Sequence, residues 1–343
     1  MTEIMEYTDS DRAEWDAYVC RTPEATIAHE AGWRSVMART LGHRPRYLLA
    51  RREGAVVGIL PLFIATTWWR TRYAVSLPWI DYGGVCADDT ETARLLLDAA
   101  VRVTKEEGAE FLELRSPEAA DYDLADRTDK VTFQLPLQAD PDVLWKGFDA
   151  KLRNQIRKSQ KSHLTATTGG SELISDFYRI FTHNMRDLGT PVWGREFFEA
   201  ILDEFPESAG IVLVHLEDKP VAGGLLLSFK GTRYVPSASA FRRYIKLCPN
   251  HALYWHCIKT ACEEGYRYFD FGRSSRDSNT FRFKKQWMPE PRQLTWQYYL
   301  NRVNEVPQIN PSNPKYRLFI GLWRKLPLWA ANFLGPRVIR NFP

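Results

Sequence analysis

YRYFDFGRSSRDSNTFRFKKQW, residues Tyr266–Trp287, opens with aromatic and polar side chains in alternation as far as Phe271. A period of two marks a strand with one buried face, and Gly272 marks its end. Arg273–Asn279 is rich in Ser, Asp and Asn, whose short polar groups bond back to the backbone and favour a turn over a ladder. Beyond it, Phe281, Phe283 and Trp287 carry rings while Arg282, Lys284 and Lys285 carry charge. A loop at the end of a buried strand that gathers cations and aromatic surface has the composition of a binding site.

This strand closes a unit that the chain writes twice. Toward the N terminus, Trp15 and Ala28–Thr40 read as helical. Arg46–Ala50 and Ala55–Ile64 read as a hairpin turning at Arg52-Glu53-Gly54. A third strand is expected at Tyr73–Ile80, ending at Asp81-Tyr82-Gly83-Gly84. A helix follows over Thr92–Glu107 through Ala93, Leu96, Leu97, Ala100 and Val103. Gly108 ends that helix and Ala109–Arg115 is a strand again. In the second half Ile211–Leu216 and Val221–Phe229 flank a turn at Glu217–Pro220. REGAVVGILPL is echoed by LEDKPVAGGLLL, and KEEGAEFLELR by CEEGYRYFDFGR. Gly58 thus answers Gly223 and Gly108 answers Gly265, at offsets of 165 and 157. Two separated anchors at nearly one offset point to an internal duplication, and so to two similar α/β domains.

A length of 343 residues suits two domains of ordinary size. Hydrophobic residues at 44% and charged residues at 26% are globular proportions, while 12 Trp and 13% aromatics are high. A net charge of +4 is too slight to argue for nucleic acid by itself. The five cysteines, an odd number without a CxxC, fit reduced thiols in a cytosolic protein. The acidic first residues do not resemble a signal peptide, and no apolar run reaches the roughly 18–20 residues that span a bilayer. The expected location is the cytoplasm, with peripheral attachment at the inner face of the membrane as a further option.

Two basic segments stand out. A helix over 144–161 places Trp145, Phe148, Leu152 and Ile156 on one face and Arg153, Arg157, Lys158 and Lys161 largely away from it. That is either a solvated outer face or a grip on the phosphates of a nucleotide, a lipid pyrophosphate or tRNA. From Asn313 to Pro343, apolar and Trp residues alternate with Lys315, Arg317, Arg324, Lys325, Arg337 and Arg340, and Pro327 and Pro336 are expected to break the segment. Such a tail either rests on an anionic membrane surface or packs on the body of the protein.

No nucleophile elbow, Walker loop, HExxH or paired zinc spacing occurs, and no metal site is expected. The chemistry that remains needs mainly alignment and charge stabilisation, as acyl transfer to an amine does.

The duplicated unit resembles the acetyltransferase fold of the GNAT superfamily. The tandem arrangement resembles the Fem family, whose members transfer amino acids from aminoacyl-tRNA to peptidoglycan precursors. NMRDLGTPVWGREFFEAIL (Asn184–Leu202) and FDFGRSSRDSNTFRFKKQWMPEP (Phe269–Pro291) are similar to the Fem-related proteins of exosortase systems that handle exopolysaccharide and PEP-CTERM proteins. The resemblance covers nearly the whole chain. It implies two tandem GNAT-like α/β (α+β) domains with mixed, mostly antiparallel sheets flanked by helices. The first is expected over 1–140, the second over 141–300, and a basic, Trp-rich tail over 301–343.

In Fem transferases a Phe-Lys pair lies at the acceptor amine and donor carbonyl, and Phe283-Lys284 matches it. The resemblance therefore implies Lys284 as the oxyanion stabiliser and Phe283 as the wall beside it, with Arg273, Ser274 and Arg276 in the same cleft. A cleft between the domains, lined by Trp193, Tyr234, Arg242, Tyr254, Arg273, Phe283 and Lys284, is expected to bind substrate. No tightly bound cofactor is implied, and the donor is aminoacyl-tRNA or acyl-CoA. The long helical insertion of the tRNA-dependent members is absent. The superfamily's glycine-rich pyrophosphate turn is replaced by the glycine-free FRRYIKLCPNHALYWHCI (Phe241–Ile258), where Arg242, Arg243 and Lys246 offer charge. The acceptor implied is an amine of an envelope or exopolysaccharide precursor. The rival reading is a tandem module without catalysis that binds polysaccharide or scaffolds an assembly.

Overall fold

The computed structural model describes residues 1–116, 120–276, 278–307 and 314–341, the last from its backbone alone over 314–317. The side chains of Lys315, Tyr316 and Arg317, and all of Asn313, lie outside the described residues. The chain forms two units. The first comprises Met1–Lys130, Gln293–Ile309 and Arg340–Pro343, the second Val131–Arg292 and Asn310–Ile339.

In chain order the first unit contains β1 (Thr2–Glu6), α1 (Arg12–Arg21), α2 (Gly32–Leu41), β2 (Arg44–Pro45), β3 (Leu48–Arg52), β4 (Ala55–Leu60), β5 (Leu62–Thr66), β6 (Arg72–Ser76), β7 (Cys86–Ala87), α3 (Thr90–Glu106), β8 (Phe111–Ser116) and the start of β9 (Ala125–Pro136). The hairpin β3–β4 turns through Glu53 and Gly54 at φ 51° and 84°, a left-handed pair that suits the right-handed twist of the strands. The strand expected over 55–64 is two strands. Pro61, which has no N–H to give a ladder, separates β4, paired with β3, from β5, paired with β6. β6 and β8 run parallel, and α3 packs Leu96, Leu97, Ala100 and Val103 beneath them.

The second unit contains α4 (Pro141–Gly147), α5 (Ala150–Lys161), β10 (Leu164–Gly169), α6 (Ile174–Leu188), α7 (Arg195–Glu204), β11 (Ala209–Leu216), β12 (Lys219–Phe229), β13 (Thr232–Ala240), α8 (Pro249–Glu263), β14 (Tyr268–Asp270), β15 (Ser274–Ser275), α9 (Asn279–Lys285), the start of β16 (Glu290–Leu300), α10 (Pro314–Trp323) and α11 (Leu328–Ile339). β10 to β13 are antiparallel neighbours, β13 and β14 are parallel, and β14 is antiparallel to β9. The single helix expected over 144–161 is broken. Asp149 accepts from Leu152 N at 2.6 Å and so caps a new start, although Phe148, Leu152 and Ile156 do share the core.

The glycines that anchor the expected duplication are each closely constrained. A Cβ at Gly58 would lie 2.9 Å from Leu96 and Thr92 of α3, and one at Gly223 would lie 2.8 Å from Leu213 and 3.3 Å from Phe177 of α6. Gly108 and Gly265 close α3 and α8 at φ 61° and 80°, where a side chain is strained. In both units a crossover helix ends at such a glycine and feeds the second strand of a parallel pair.

The tail packs on the second unit. Ile320 occupies the space beside Gly189, Val192 meets Gly335, and Arg324 donates to Leu188 O at 3.3 Å. Arg186 donates to Leu326 O at 3.2 Å, and Trp323, Ala330 and Ala331 are buried. Pro327 separates the two tail helices as expected, but Pro336 lies inside α11 without ending it.

The first unit holds an ion pair inside its sheet. Arg115, 2% exposed, donates from Nε to Glu113 at 2.6 Å, stacks 4.4 Å over Trp296, and shares Glu113 with the Tyr298 hydroxyl. Removing the carboxylate would leave the guanidinium buried without that partner. Glu113→Ala is therefore expected to lose about 3–5 kcal/mol of stability in urea titration, and Glu113→Gln, which keeps an acceptor, distinctly less.

Candidate functional site

The parallel pair at the centre of the second unit is short. β13 matches β14 only from Thr232↔Tyr268 to Tyr234↔Asp270, and Val235–Ala240 run on without it. The two strands therefore part after Tyr234, which is buried at the fork. The alternating strand expected at Tyr266–Phe271 shortens to β14, with Phe269 and Phe271 fully in the core.

Polar bonds fix the chain where β14 ends. Asp270, 3% exposed, accepts from Thr132 Oγ1 at 3.0 Å and from Gly272 N at 2.7 Å. Gly272, at φ 70°, turns the backbone. α9 begins with Ser278 accepting from Phe281 N at 3.1 Å, and its phase carries Lys284 inward while Arg282 and Lys285 stay exposed. The Lys284 ammonium, 8% exposed, donates to Gly272 O and Arg273 O at 2.8 Å each. Lys284 thus ties the loop to the helix and places a buried positive charge at the strand end.

Rings surround it. Phe283 lies 5.2 Å from both Tyr254 and His251, and Tyr254 stacks on Phe271 at 5.4 Å. Trp287 closes the group against Phe148 and His251. Burial pushes the Tyr254 phenol far above its usual range and holds His251 below its own, since both charged forms lose hydration. Three buried polar atoms here have no hydrogen-bond partner among the described residues: Ser274 Oγ, Trp287 Nε1 and Asn250 Oδ1. Such groups cost about 1–3 kcal/mol each when unmatched and are natural handles for a ligand.

Other candidates lie elsewhere in the same unit. Arg242 lines a cavity of about 600 Å³ with Arg179, His183, Asn184, Asp187, Phe241 and Arg243. Four of these come from α6, where Arg179, His183 and Asp187 recur at steps of four opposite the buried Phe177, Ile180 and Phe181. That spacing was the signal for them in the sequence. Trp193 joins a different group, stacked between Phe181 and Phe197. Arg276 is exposed in the turn after β15.

Of the basic helix, Arg153 closes α4 by donating to Lys146 O and Phe148 O, and Arg157 lies 5.3 Å over Trp145. Lys158 and Lys161 are exposed. Gln155 and Lys158 reach the start of α8, where Cys248 donates to Gln155 Oε1 at 2.8 Å and feels the Lys158 charge. Cys248 sits at φ 61°, the left-handed position that glycine usually fills. Pro249 has no N–H, and those of Cys248, His251 and Ala252 already go to Ile245 O or Cys248 O. Little backbone remains there to cradle a pyrophosphate, so a phosphate would have to be held by side-chain charge.

Residues 146–285 match the model of the acetyltransferase (GNAT) domain. The span holds the candidates named above except Trp287. The crystal structure of FemX is similar in fold, at 17% identity over 93% of this chain and 100% of that one, with a TM-score of 0.67. L-PGS from Bacillus licheniformis superposes at 0.54, with 12% identity over 86% of this chain and 96% of its own. A tandem GNAT protein from the clavulanic acid biosynthesis pathway superposes at 0.53, with 12% identity over 87% and 98%. The chain has no significant match among curated proteins. The fold is thus mixed α/β, with helix-flanked sheets and GNAT-fold neighbours that include tandem proteins. Among the described residues there is no group of three or more His, Cys, Asp or Glu able to hold a metal, and no helix long and apolar enough to cross a membrane.

The second unit should soften in mild acid. An unfolded His takes up its proton near pH 6.5, whereas His251, held low by burial, does so only at lower pH. Between the two values the unfolded state binds more protons, so stability is present above about pH 6.5 and is lost as pH falls below it. Melting temperatures measured from pH 7.5 to 5.5 should fall, and His251→Phe should flatten the slope.

Proposed function

We propose that the chain is an N-acyltransferase or aminoacyltransferase that moves an acyl or aminoacyl group from an activated ester or thioester to an amine of a cell-envelope or exopolysaccharide precursor. The observation that carries this is the buried Lys284 ammonium at the fork of the parallel strands, beside the unmatched Ser274 hydroxyl. Attack by the amine forms a C–N bond as the C–O or C–S bond breaks, and the proton of the amine ends on the departing oxygen or sulfur. Negative charge builds on the carbonyl oxygen meanwhile. A fixed cation in a water-poor site lowers that barrier even when its N–H groups are engaged, because the charge acts through a low dielectric.

In this reading Phe283 and Tyr254 exclude water, and Ser274, Arg273 and Arg276 orient the reactants. Arg242, Arg243, Lys246 and Lys158 hold the phosphates of the donor, which is acyl-CoA or aminoacyl-tRNA. The GNAT-domain match and the FemX-like fold support transfer to an amine in general terms. The likeness of Phe269–Pro291 to exosortase-associated proteins is what suggests an exopolysaccharide acceptor.

A second reading has one observation in its favour. Because Lys284 satisfies two loop carbonyls, structure alone explains its burial, and the fold would then serve as a binding module without turnover.

Mass spectrometry of amino sugars and lipid-linked amine precursors incubated with each donor distinguishes the two. Transfer should add the acyl mass to the acceptor, and Lys284→Met should lower kcat about 10²–10³-fold, with partial recovery in Lys284→Arg. Ser274→Ala should leave the melting temperature unchanged or higher and raise KM. Undiminished turnover in Lys284→Met would remove that residue from the mechanism. No transfer from either donor, with a polysaccharide raising the melting temperature, would establish the module instead.

A further inference from the structure

The tail helices solve one problem and leave another open. Their inner side is satisfied by Trp323, Ala330, Ala331 and Gly335, which pack on the second unit. Their outer side is not. Leu318 and Leu322, one turn apart on α10, are 66% and 59% exposed, and Trp329 and Phe333, one turn apart on α11, are 74% and 57% exposed. Phe319 and Leu334 are exposed beside them, and so is Leu188, whose carbonyl Arg324 binds. Six of the chain's exposed large apolar side chains thus fall on two short helices. Single exposed apolar residues are ordinary, but pairs at one-turn spacing on two successive helices mark a surface that something covers.

Charge identifies the occupant. The chain as a whole is nearly balanced, with 46 Lys and Arg against 42 Asp and Glu. Asn313–Pro343 departs from that balance, with Lys315, Arg317, Arg324, Lys325, Arg337 and Arg340 and no acid at all. We infer that α10 and α11 form a docking face for an anionic lipid surface, their rings and leucines entering the boundary between headgroup and acyl chain while the exposed Arg324, Lys325 and Arg337 meet the headgroups. A second copy of the chain fits less well, since a self-complementary contact would set these cations against one another. Nor do the helices span a bilayer, for each has at most 12 residues where about 20 are needed.

The inference does not depend on the catalytic reading, and its test needs no turnover. The full chain is sedimented with vesicles of phosphatidylcholine alone or with about a third phosphatidylglycerol, at low and high salt. It should bind the anionic vesicles, bind the neutral ones at least tenfold more weakly, and release as salt rises. Trp329→Ala with Phe333→Ala, two exposed positions whose loss leaves the melting temperature unchanged, should weaken binding about tenfold or more. Lys325→Gln should weaken it about fivefold. Equal binding to both vesicle types, no binding to either, or no effect of the paired ring variant would overturn the proposal. So would a dimer in light scattering that the ring variant abolishes while vesicles are ignored, which would assign the face to a second copy.

Discussion

Two parallel neighbours cannot be joined by a tight turn, so the chain must leave the sheet and return along its face, and both units are built around that constraint. α3 carries the return between β6 and β8, and α8 carries it between β13 and β14. Each return ends in a left-handed glycine, because the helix must stop and reverse within a residue or two. The carboxyl end of the second parallel strand then emerges beside the start of the crossover helix. Loops at that end can be shaped without disturbing the ladder, and there the second unit collects its cations, rings and unmatched polar atoms.

The same place explains why a lysine can be buried. An ammonium loses much hydration when it is taken out of water, and Lys284 recovers it from the carbonyls of Gly272 and Arg273. Those carbonyls are available because Gly272 turns the backbone away from the ladder as β14 ends. Lys284 and the turn therefore specify each other, and the short helix α9 exists to present the one to the other.

How much of this was legible in the sequence depended on whether a residue's demand was local. Alternation in Tyr266–Phe271 revealed a buried strand, and Gly58 with Gly223, and Gly108 with Gly265, revealed the duplication, since close approach and positive φ exclude other residues. The break at Asp149 also had a local signal, an acidic cap three residues before Leu152, but the apolar face running through Phe148 to Ile156 masked it. Pro336 misleads in the opposite way, because Val192 packing on Gly335 holds a helix that proline alone would interrupt. The inward turn of Lys284 and the pairing of Glu113 with Arg115 and Tyr298 were not readable. Both join residues brought together only by the finished sheet, and Arg179, His183 and Asp187 gain a partner surface only once β13 has delivered Phe241 and Arg242 to them.

The strands β9 and β16 change units partway along their length. Pro136, Leu135 and Gln134 pair with β14 of the second unit, which comes much later in the chain, and Thr295–Leu300 pair with β8 of the first unit, which comes much earlier. During synthesis the earlier sheet therefore stays one strand short, with an open edge, until nearly three hundred residues have emerged. Expressing 146–285 alone, as the family match would invite, would strip β14 of its antiparallel neighbour. A fragment that keeps β14 with that neighbour must therefore begin before Gln134.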